Sequence, residues 1–281
     1  MNILLIPNLG KNNAYQCTCD VLKKLREYRC GCYLFEDKVS YFEGFEVETY
    51  REGQKIDMIF SVGGDGTMIH SARHAVRMDC PVLGINAGRL GFLTELESSE
   101  TDMIEKIVCG EYTIQPRMML HASVNRPGET LEFSALNDVV IGKGENDRMV
   151  DIDVEMQNGF VNSYRADGLI FSTPTGSTAY ALSAGGPIVY SSIESISITP
   201  ICPHSLFSRS ILYAPEEVFT VKGRYINNSE TLYMSADGED RIRIEPGDNI
   251  VISKDQRYVK FVNFGSKSYY ERLSKKIIGR G

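Results

Sequence analysis

Ile56–Thr67 reads IDMIFSVGGDGT, an apolar run at Met58–Val62 followed by a glycine-rich turn at Gly63–Thr67. The apolar run predicts a buried strand, and the next residues, MIHSARHAV, have apolar side chains at helical spacing. A strand, a glycine turn and a helix in this order direct free backbone N–H groups at a phosphate group. The stretch therefore predicts an α/β unit with a phosphate site at the turn.

Asp65 is the unexpected residue of this turn, because a carboxylate repels a neighbouring phosphate. Two functions would explain it: binding of a magnesium ion, or acceptance of a proton from a hydroxyl group that attacks the phosphate. The alternative is a tight turn of an α/β domain in which Asp65 only caps the helix. The full Gly-Gly-Asp-Gly-Thr motif favours a functional carboxylate, but alone it does not identify one enzyme.

Length and composition limit the class of protein. The 281 residues allow one large domain or two of ordinary size, and a hydrophobic content of 42% supplies a sizeable core. The net charge of −7, without a basic stripe, argues against a nucleic-acid partner and against an anionic membrane surface. No apolar run approaches the roughly 20 residues that span a bilayer, and MNILLIPN at the start predicts a strand rather than a signal peptide. We therefore expect a cytoplasmic protein.

Cysteine and histidine pairs raise the question of a metal site. Cys17/Cys19 and Cys30/Cys32 have Cys-x-Cys spacing rather than the usual Cys-x-x-Cys, which favours reduced, buried thiols over a structural metal. His70 and His74 lie four residues apart on the predicted helix, a spacing that can bind zinc, but a third ligand and the usual intervening Glu are missing. We assign no residue as a metal ligand.

The first part of the chain alternates between predicted strands and helices. The predicted strands are 3–6, 33–35, 58–62 and 81–86, and the predicted helices are 14–28, the segment after the glycine turn, and 100–108. Residues 40–54 are acidic and weakly patterned, which indicates a variable surface segment. The alternation predicts a parallel, doubly wound sheet.

The pattern changes near Tyr112. Short alternating runs follow, separated by turn signals such as Asn158-Gly159 and Asp237-Gly238, which is typical of an antiparallel β-sandwich. We predict an α/β domain at 1–114 and a β-rich domain at 115–262. A basic amphipathic tail at 263–281 can fold back on the first domain.

A second unusual stretch, Tyr164–Ile188, reads YRADGLIFSTPTGSTAYALSAGGPI. Its small residues would let a flat ligand approach the backbone, and its hydroxyl groups could donate to ribose or amide groups. The alternative is a serine-rich loop between strands. In Leu136–Val140, LNDVV, the polar pair Asn137-Asp138 interrupts an apolar strand, so the pair either fixes a turn or holds a ligand.

Gly-Gly-Asp-Gly occurs in phosphofructokinases, in the diacylglycerol and sphingosine lipid kinases, and in NAD kinases. The ordered set of motifs in this chain resembles the NAD kinases over nearly its whole length. The motifs are GGDGT (63–67), NAGRLGFL (86–93), LND (136–138), YRADG…TPTGSTAYALSAGGP (164–187), CPHSL (202–206) and SADG (235–238). By this resemblance, the phosphofructokinases and the lipid kinases lack the Thr-Pro-Thr-Gly-Ser-Thr-Ala-Tyr stretch.

The resemblance implies transfer of the terminal phosphate of ATP, or of polyphosphate, to the 2′-hydroxyl of the adenosine ribose of NAD. It implies a divalent metal, usually Mg²⁺, and a homodimer or homotetramer in which a neighbouring subunit can complete the NAD site. Two rival interpretations remain: a lipid kinase with an apolar entry groove, and a catalytically silent sensor that binds NAD(P).

Site residues follow from position in the resemblance. Asp65 matches the acid that takes the proton from the 2′-hydroxyl, and the backbone of Gly63, Gly64, Gly66 and Thr67 would face the phosphates. His70, one turn into the helix, would lie near a ligand phosphate.

The remaining matched positions would contact NAD. Phe92 matches an aromatic residue near adenine, with core packing as the alternative. Arg148 matches a position that can touch NAD, with a solvated loop cation as the alternative. Asn137 and Asp138 match the pair at the ribose or adenine end, Arg165 and Asp167 match the nicotinamide end, and Thr178, Ala179, Tyr180, Ala181, Leu182 and Ser183 match the stretch that wraps the dinucleotide.

Some positions depart from the family pattern. Asp138 stands where many relatives have Glu, and its shorter side chain could shift the ribose contact. Ala166 replaces a frequent Gly, Ser210 a common Pro, and Glu239 a frequent amide side chain, so position 239 is not assigned to the site.

Overall fold

A computed structural model describes residues 1–88, 91–144, 148–157, 159–205, 208–224, 231–265, 270–271 and 273–274. Arg89 and Leu90 of the NAGRLGFL motif, Asn158 of a predicted turn, Leu206 of CPHSL and most of the predicted tail lie outside these residues. The chain forms two compact units. The first comprises Met1–Pro116 with Val259–Gly281, and the second comprises Arg117–Tyr258.

The first unit is an α/β structure. Its elements are β1 (Asn2–Pro7), α1 (Ala14–Glu27), β2 (Gly31–Leu34), α2 (Glu36–Val39), β3 (Glu48–Thr49), β4 (Met58–Gly63), α3 (Asp65–Arg77), β5 (Val82–Asn86), β6 (Leu96–Glu97) and α4 (Ile104–Val108). The strands form a parallel sheet in the order β3-β2-β1-β4-β5-β6. After β1 the chain forms β2 and β3 on one side of β1. It then crosses to the other side, where β4 pairs with β1. This order confirms the predicted doubly wound sheet and creates a switch point between β1 and β4.

Both faces of this sheet are buried, as expected for a parallel sheet with helices on each side. Ile3, Leu5 and Phe60 pack in one core with Val21 and Leu25 of α1. The alternate strand residues, Leu4 and Ile59, are fully buried as well, together with Met68 and Ala72 of α3. The largely apolar runs of β1 and β4 are therefore explained by burial on two faces rather than one.

The Cys-x-Cys pairs lie in this unit as free thiols. Cys17 and Cys19 are buried on α1, and Cys32 is buried on β2. Burial raises the pKa of Cys17 to about 11 and that of Cys32 to about 12, with smaller contributions from Asp20 and Cys30. Cys17 and Cys32 are therefore core side chains whose thiols stay protonated at neutral pH.

Two predicted segments of the first unit differ from the structure. Residues 40–54 contain the short strand β3, which extends the sheet at its edge, and Phe42, which is completely buried. The predicted helix at 100–108 is divided into a 3₁₀ turn at Thr101–Met103 and the short helix α4. β3 could not be predicted from the sequence, because a strand of two residues has no periodicity.

The second unit is built from antiparallel strands. Its elements are β7 (Thr113–Arg126), β8 (Glu129–Ala135), β9 (Asp138–Lys143), β10 (Val150–Met156), β11 (Gly159–Ala166), β12 (Gly168–Ser172), α5 (Tyr180–Ser183), β13 (Ile196–Ile201), β14 (Ile211–Tyr213), β15 (Phe219–Arg224), β16 (Leu232–Ala236), β17 (Glu239–Ile244) and β18 (Asn249–Asn263). Both unit boundaries fall inside strands, in β7 and in β18.

These strands form two layers. One sheet has the order β14-β13-β12-β9-β16-β17, and the other contains β11-β10-β15-β18. One apolar core contains side chains of both sheets, including Phe171 of β12 and Phe219 of β15, whose ring centroids are 5.6 Å apart. The predicted antiparallel β-sandwich is confirmed.

Among the described residues, no helix is long and apolar enough to cross a lipid bilayer.

Candidate active site

The glycine turn lies at the switch point of the first unit, where α/β sheets commonly bind ligands. β4 ends at Gly63, Gly64 is the N-cap residue, and α3 begins at Asp65. The Thr67 hydroxyl oxygen accepts a hydrogen bond from the Gly64 N–H at 3.4 Å and another from Asn8 Nδ2 at 3.2 Å. The first turn of α3 is therefore fixed both to its own cap and to the loop that follows β1.

The residues of the turn have different surroundings. Gly63 is buried, and its carbonyl accepts the Ala87 N–H at 2.8 Å. Thr67 is 8% exposed, whereas Gly66 is exposed. A Cβ added to Gly64 would collide with the ammonium group of Lys11. The absence of a side chain at position 64 thus allows a lysine to lie directly against the turn.

The Asp65 carboxylate is held by the second motif of the first unit. Oδ2 accepts the Phe92 N–H and Oδ1 accepts the Leu93 N–H, each at 3.0 Å. A Cβ added to Gly91 would collide with the carboxylate. The GGDGT and NAGRLGFL motifs therefore meet at Asp65.

A cavity of about 640 Å³ lies beside the turn within the first unit. Its walls include Asn8, Gly66, Thr67 and His70, and this volume is in the range of small-molecule sites. The structure thus places His70 in the wall of a cavity that borders the glycine turn.

His74 has a structural role. Its ring lies 4.9 Å from that of Phe35 and 5.0 Å from that of His70. Burial, with smaller contributions from the charges of Arg77 and His70, lowers the pKa of His74 to about 4. The described residues contain no group of three or more His, Cys, Asp or Glu side chains that could hold a metal ion.

In the second unit, Asp237 organises the Leu-Asn-Asp segment. Its carboxylate accepts the backbone N–H groups of Leu136 at 2.8 Å, Asn137 at 2.7 Å and Asp138 at 3.2 Å. The Asp237 N–H in turn donates to the Asp138 carbonyl at 2.9 Å. Asp237 has a φ of +54°, a conformation that Asp tolerates better than most residues and that the following Gly238 continues. This carboxylate therefore fixes the backbone of two predicted ligand-binding residues.

Asn137 and Asp138 are both buried, and Asn137 has an unsatisfied polar atom. Asn137 is 8% exposed, and its Oδ1 lacks a hydrogen-bond partner among the described residues. Burial and the nearby Asp237 charge raise the pKa of Asp138 to about 7. Unsatisfied buried polar atoms are costly, so this pair fits the predicted ligand-holding role better than a purely structural turn.

The raised pKa of Asp138 makes a testable prediction about stability. Its folded pKa of about 7 lies above the unfolded value near 3.9, so the folded state retains a proton that the unfolded state has lost. This contribution to the free energy of unfolding is complete below about pH 4 and is lost as pH rises to about 7. Asp138→Asn should therefore gain stability relative to the parent between pH 5 and pH 8, by an amount on the order of a few kcal/mol in urea denaturation. An equal stability difference at both pH values would contradict this.

Most hydroxyl groups of the Thr-Pro-Thr-Gly-Ser-Thr stretch donate to the protein itself. Thr173 Oγ1 donates to the Leu136 carbonyl at 2.6 Å, and Ser177 Oγ donates to the Pro174 carbonyl at 2.6 Å and accepts the Val189 N–H at 3.0 Å. Thr178 Oγ1 donates to the Thr175 carbonyl at 3.3 Å. These bonds arise because the segment leaves β12 as an irregular turn whose backbone groups have no strand partners. The hydroxyl groups shape the loop and attach it to the Leu-Asn-Asp segment.

The rest of the predicted wrapping stretch is divided by exposure. Ala179 follows a 3₁₀ turn at Gly176–Thr178, and α5 then carries residues 180–183. Ala181 is buried and Leu182 is partly buried, whereas Tyr180 is 46% exposed and Ser183 is exposed. Tyr180 and Ser183 are thus the residues of α5 most able to reach a ligand.

Three charged candidates lie at the surface of the second unit. Asp167 forms an ion pair with Lys143 at 3.0 Å, and Arg165 lies 3.8 Å from Asp151 with a side chain that is 58% exposed. Arg148 is exposed. Among the departures from the family pattern, Ser210 shares a hydrogen bond of 2.7 Å with Thr199, which a proline could not form.

Sequence reasoning missed two residues near these sites. Lys11 falls in a polar turn without a recognisable motif, so nothing in the sequence connects it with Gly64, 53 positions later. Asp237 was predicted only as part of a turn, and its partners at 136–138 are about 100 residues away. The sequence did contain one indication of Asp237, because it is the acid before glycine in SADG (235–238), one of the motifs that resemble the family.

Comparisons with known proteins agree with this arrangement. Residues 10–112 match the ATP-NAD kinase N-terminal domain, and residues 136–264 match the ATP-NAD kinase C-terminal domain. A protein of Natranaerobius thermophilus named NAD kinase is 38% identical over 279 residues, which cover 98% of this chain and 97% of that protein.

Two solved structures share the fold. A yeast NADH kinase complexed with NADH aligns over 99% of this chain and 87% of its own, with a TM-score of 0.87 and 23% identity. An NAD kinase from Archaeoglobus fulgidus in complex with ATP aligns over 100% of this chain and 99% of its own, with a TM-score of 0.72 and 23% identity. With both family domains present in order and a relative at this identity over nearly its full length, the chain belongs to the ATP-NAD kinase family.

Proposed function

We propose that this protein transfers the terminal phosphate of ATP to the 2′-hydroxyl of the adenosine ribose of NAD, producing NADP and ADP. The observation that carries the proposal is the presence of both family domains over residues 10–112 and 136–264 of one chain, with the glycine turn and Asp65 at the switch point of the first. The α/β unit would hold the reacting phosphates, and the β-rich unit would hold NAD.

Asp65 is the residue we assign to proton transfer. Phosphoryl transfer depends mainly on positioning and on neutralising charge, so it needs few reacting protein groups. The Phe92 and Leu93 N–H groups orient the Asp65 carboxylate, and Gly91 leaves it room. In the proposed step the Asp65 carboxylate accepts the 2′-hydroxyl proton while the ribose oxygen bonds to the terminal phosphorus and the bond to the ADP oxygen breaks.

The proposed reaction uses a divalent metal, usually Mg²⁺, in line with the family resemblance. Mg²⁺ in phosphotransferases commonly binds substrate phosphate oxygens and water together with one or two carboxylates. Because Asp65 is assigned to proton transfer, the ion would be held mainly by the substrate phosphates and water. The bound ion would neutralise charge on the transferred phosphate.

On the NAD side, the proposal assigns the buried pair Asn137 and Asp138 to the adenosine end and the exposed Tyr180 and Ser183 to the wall of the dinucleotide site. The unsatisfied Asn137 Oδ1 supports this assignment, because a ligand donor would complete it. We further propose a cytoplasmic homodimer or homotetramer, in line with the family resemblance and with the buried, protonated thiols.

A turnover assay tests the proposed function. Purified protein is incubated with NAD and Mg²⁺ and either ATP or polyphosphate, and NADP is measured with an NADP-specific dehydrogenase. We expect NADP formation with ATP that disappears when EDTA removes the metal. Folded protein that binds NAD(P) without forming NADP from either donor would instead support the silent sensor. A phosphorylated diacylglycerol or sphingoid product in a parallel lipid assay would support the lipid kinase.

A further inference from the structure

Lys11 occupies a fixed position in the loop after β1. Its N–H donates to the Asn8 carbonyl, and its carbonyl accepts the Ala14 N–H that begins α1, both at 3.1 Å. The Asn8 side chain also binds Thr67 on α3. The backbone at Lys11 is therefore held by a turn that is itself attached to the glycine turn.

The Lys11 side chain extends across the glycine turn. Its ammonium group would collide with a Cβ on Gly64, and it lies 3.7 Å from the position of a Cβ on Gly88. Gly64 is in an extended conformation with φ of −138°, which any residue can adopt. Space for the lysine, rather than backbone conformation, is thus what glycine provides at position 64.

Lys11 has no counter-charge in the part of the chain that the structure describes. The side chain is only partly exposed, and no hydrogen bond or ion pair joins it to another described residue. By contrast, Lys23 on α1 pairs with Asp20 at 3.0 Å. The Asp65 carboxylate, the acid closest in sequence to the turn, accepts the Phe92 and Leu93 N–H groups.

This arrangement concentrates positive charge. The N-terminus of a helix carries a partial positive charge, and α3, with 13 residues, begins beside the Lys11 ammonium group. The Asp65 carboxylate in the first turn of α3 offsets part of this charge, and it is held by the Phe92 and Leu93 N–H groups. A phosphate group has the charge and the acceptor oxygens to satisfy both the helix N-terminus and the Lys11 ammonium group.

We propose that Lys11 binds a phosphate group of the donor triphosphate beside the glycine turn. The inference rests on the proposed function, because it assigns a further binding residue to that reaction. The donor is favoured over the pyrophosphate of NAD because the Lys11 ammonium group lies against Gly64 of the glycine turn in the α/β unit. Asn137, Asp138, Tyr180 and Ser183, which the proposed function assigns to NAD, lie in the other unit.

Lys11→Gln is the direct test. A lysine-to-phosphate bond is charge-assisted, so its loss should raise KM for ATP by about tenfold to a hundredfold. KM for NAD should change by less than about threefold. Lys23→Gln is the matched control. Lys23 lies on α1 with a side chain that is 61% exposed, so the KM values of this variant should equal those of the parent. An unchanged KM for ATP, or a rise confined to KM for NAD, would overturn the assignment.

Stability separates a binding role from a structural one. Since no hydrogen bond or ion pair joins the Lys11 side chain to another described residue, Lys11→Gln should leave the Tm without ligand nearly unchanged. The increase in Tm caused by inorganic tripolyphosphate, measured without NAD, should be largely lost. A lower Tm without ligand, combined with an undiminished tripolyphosphate effect, would show that Lys11 only supports the fold.

A measurement on the parent protein covers the case in which the variant fails to fold. Reductive methylation followed by mass spectrometry should show Lys11 protected by tripolyphosphate and Lys23 not protected. Equal labelling of Lys11 with and without tripolyphosphate would refute the inference. Protection without any NADP formation would support phosphate binding while refuting the proposed function, so the two failures can be told apart.

Discussion

Asp65→Asn should lower kcat for NADP formation by about 10²- to 10⁴-fold, the range associated with loss of a general base. The amide cannot accept the 2′-hydroxyl proton, although it has nearly the shape of the carboxylate. KM for ATP and NAD should change much less, because the turn that faces the phosphates is retained. Steady-state kinetics at saturating ATP and NAD measure the effect.

The same substitution disturbs the local hydrogen bonds, and this needs a control. Both Asp65 oxygens accept backbone N–H groups, and an amide can accept only one of them. We expect a destabilisation of about 1–3 kcal/mol, so the assay is run well below the lowered Tm. Asp102→Asn, at a side chain that is 92% exposed, should keep parental kcat and Tm. An Asp65→Asn protein that turns over at the parental rate would remove Asp65 from the mechanism.

Asp237→Ala should produce the largest loss of stability in the second unit. The substitution removes the acceptor of three backbone N–H groups, those of Leu136, Asn137 and Asp138, which are all buried residues. Each buried donor without a partner costs about 1–3 kcal/mol, and partial relaxation leaves an expected total of about 3–5 kcal/mol. Because the same segment carries two proposed NAD-binding residues, KM for NAD should rise more than KM for ATP.

Graded variants distinguish this account from a general surface effect. Asp237→Asn keeps an acceptor oxygen at a position where asparagine also tolerates the left-handed conformation, so its Tm should fall between those of the parent and Asp237→Ala. Glu216→Ala, at an exposed turn of the same unit, should match the parent. Equal Tm values for the parent and Asp237→Ala would show that the N–H groups at 136–138 find other acceptors.

The fold could largely be predicted because its signals are local. Runs such as Met58–Val62 are buried at every position and apolar at all but Ser61, which fits strands covered on both faces, and the later runs alternate, which fits a sandwich. The turn from Gly63 to Asp65 was likewise recognisable from adjacent residues. Short elements such as β3 were missed, since two residues carry no periodicity.

The site was predicted less completely because its decisive contacts are distant in sequence. Lys11 reaches Gly64, and Asp237 holds residues 136–138, through tertiary packing that no local pattern encodes. In the sequence, the hydroxyl groups of Thr173 and Ser177 resembled ligand donors. In the structure they donate to backbone carbonyl groups, those of Leu136 and Pro174. Residue type alone does not tell whether a polar group is used by the protein or kept for a ligand.

The distance between the Asp65 carboxylate and the acceptor hydroxyl tests the central claim most directly. A crystal structure with NAD, Mg²⁺ and a non-hydrolysable ATP analogue would measure it. We predict that an Asp65 oxygen lies within hydrogen-bond range of the ribose 2′-oxygen, about 2.6–3.2 Å, while the Phe92 and Leu93 N–H groups still hold the carboxylate. A bound dinucleotide whose 2′-oxygen is out of reach of Asp65, both directly and through one water, would contradict the account.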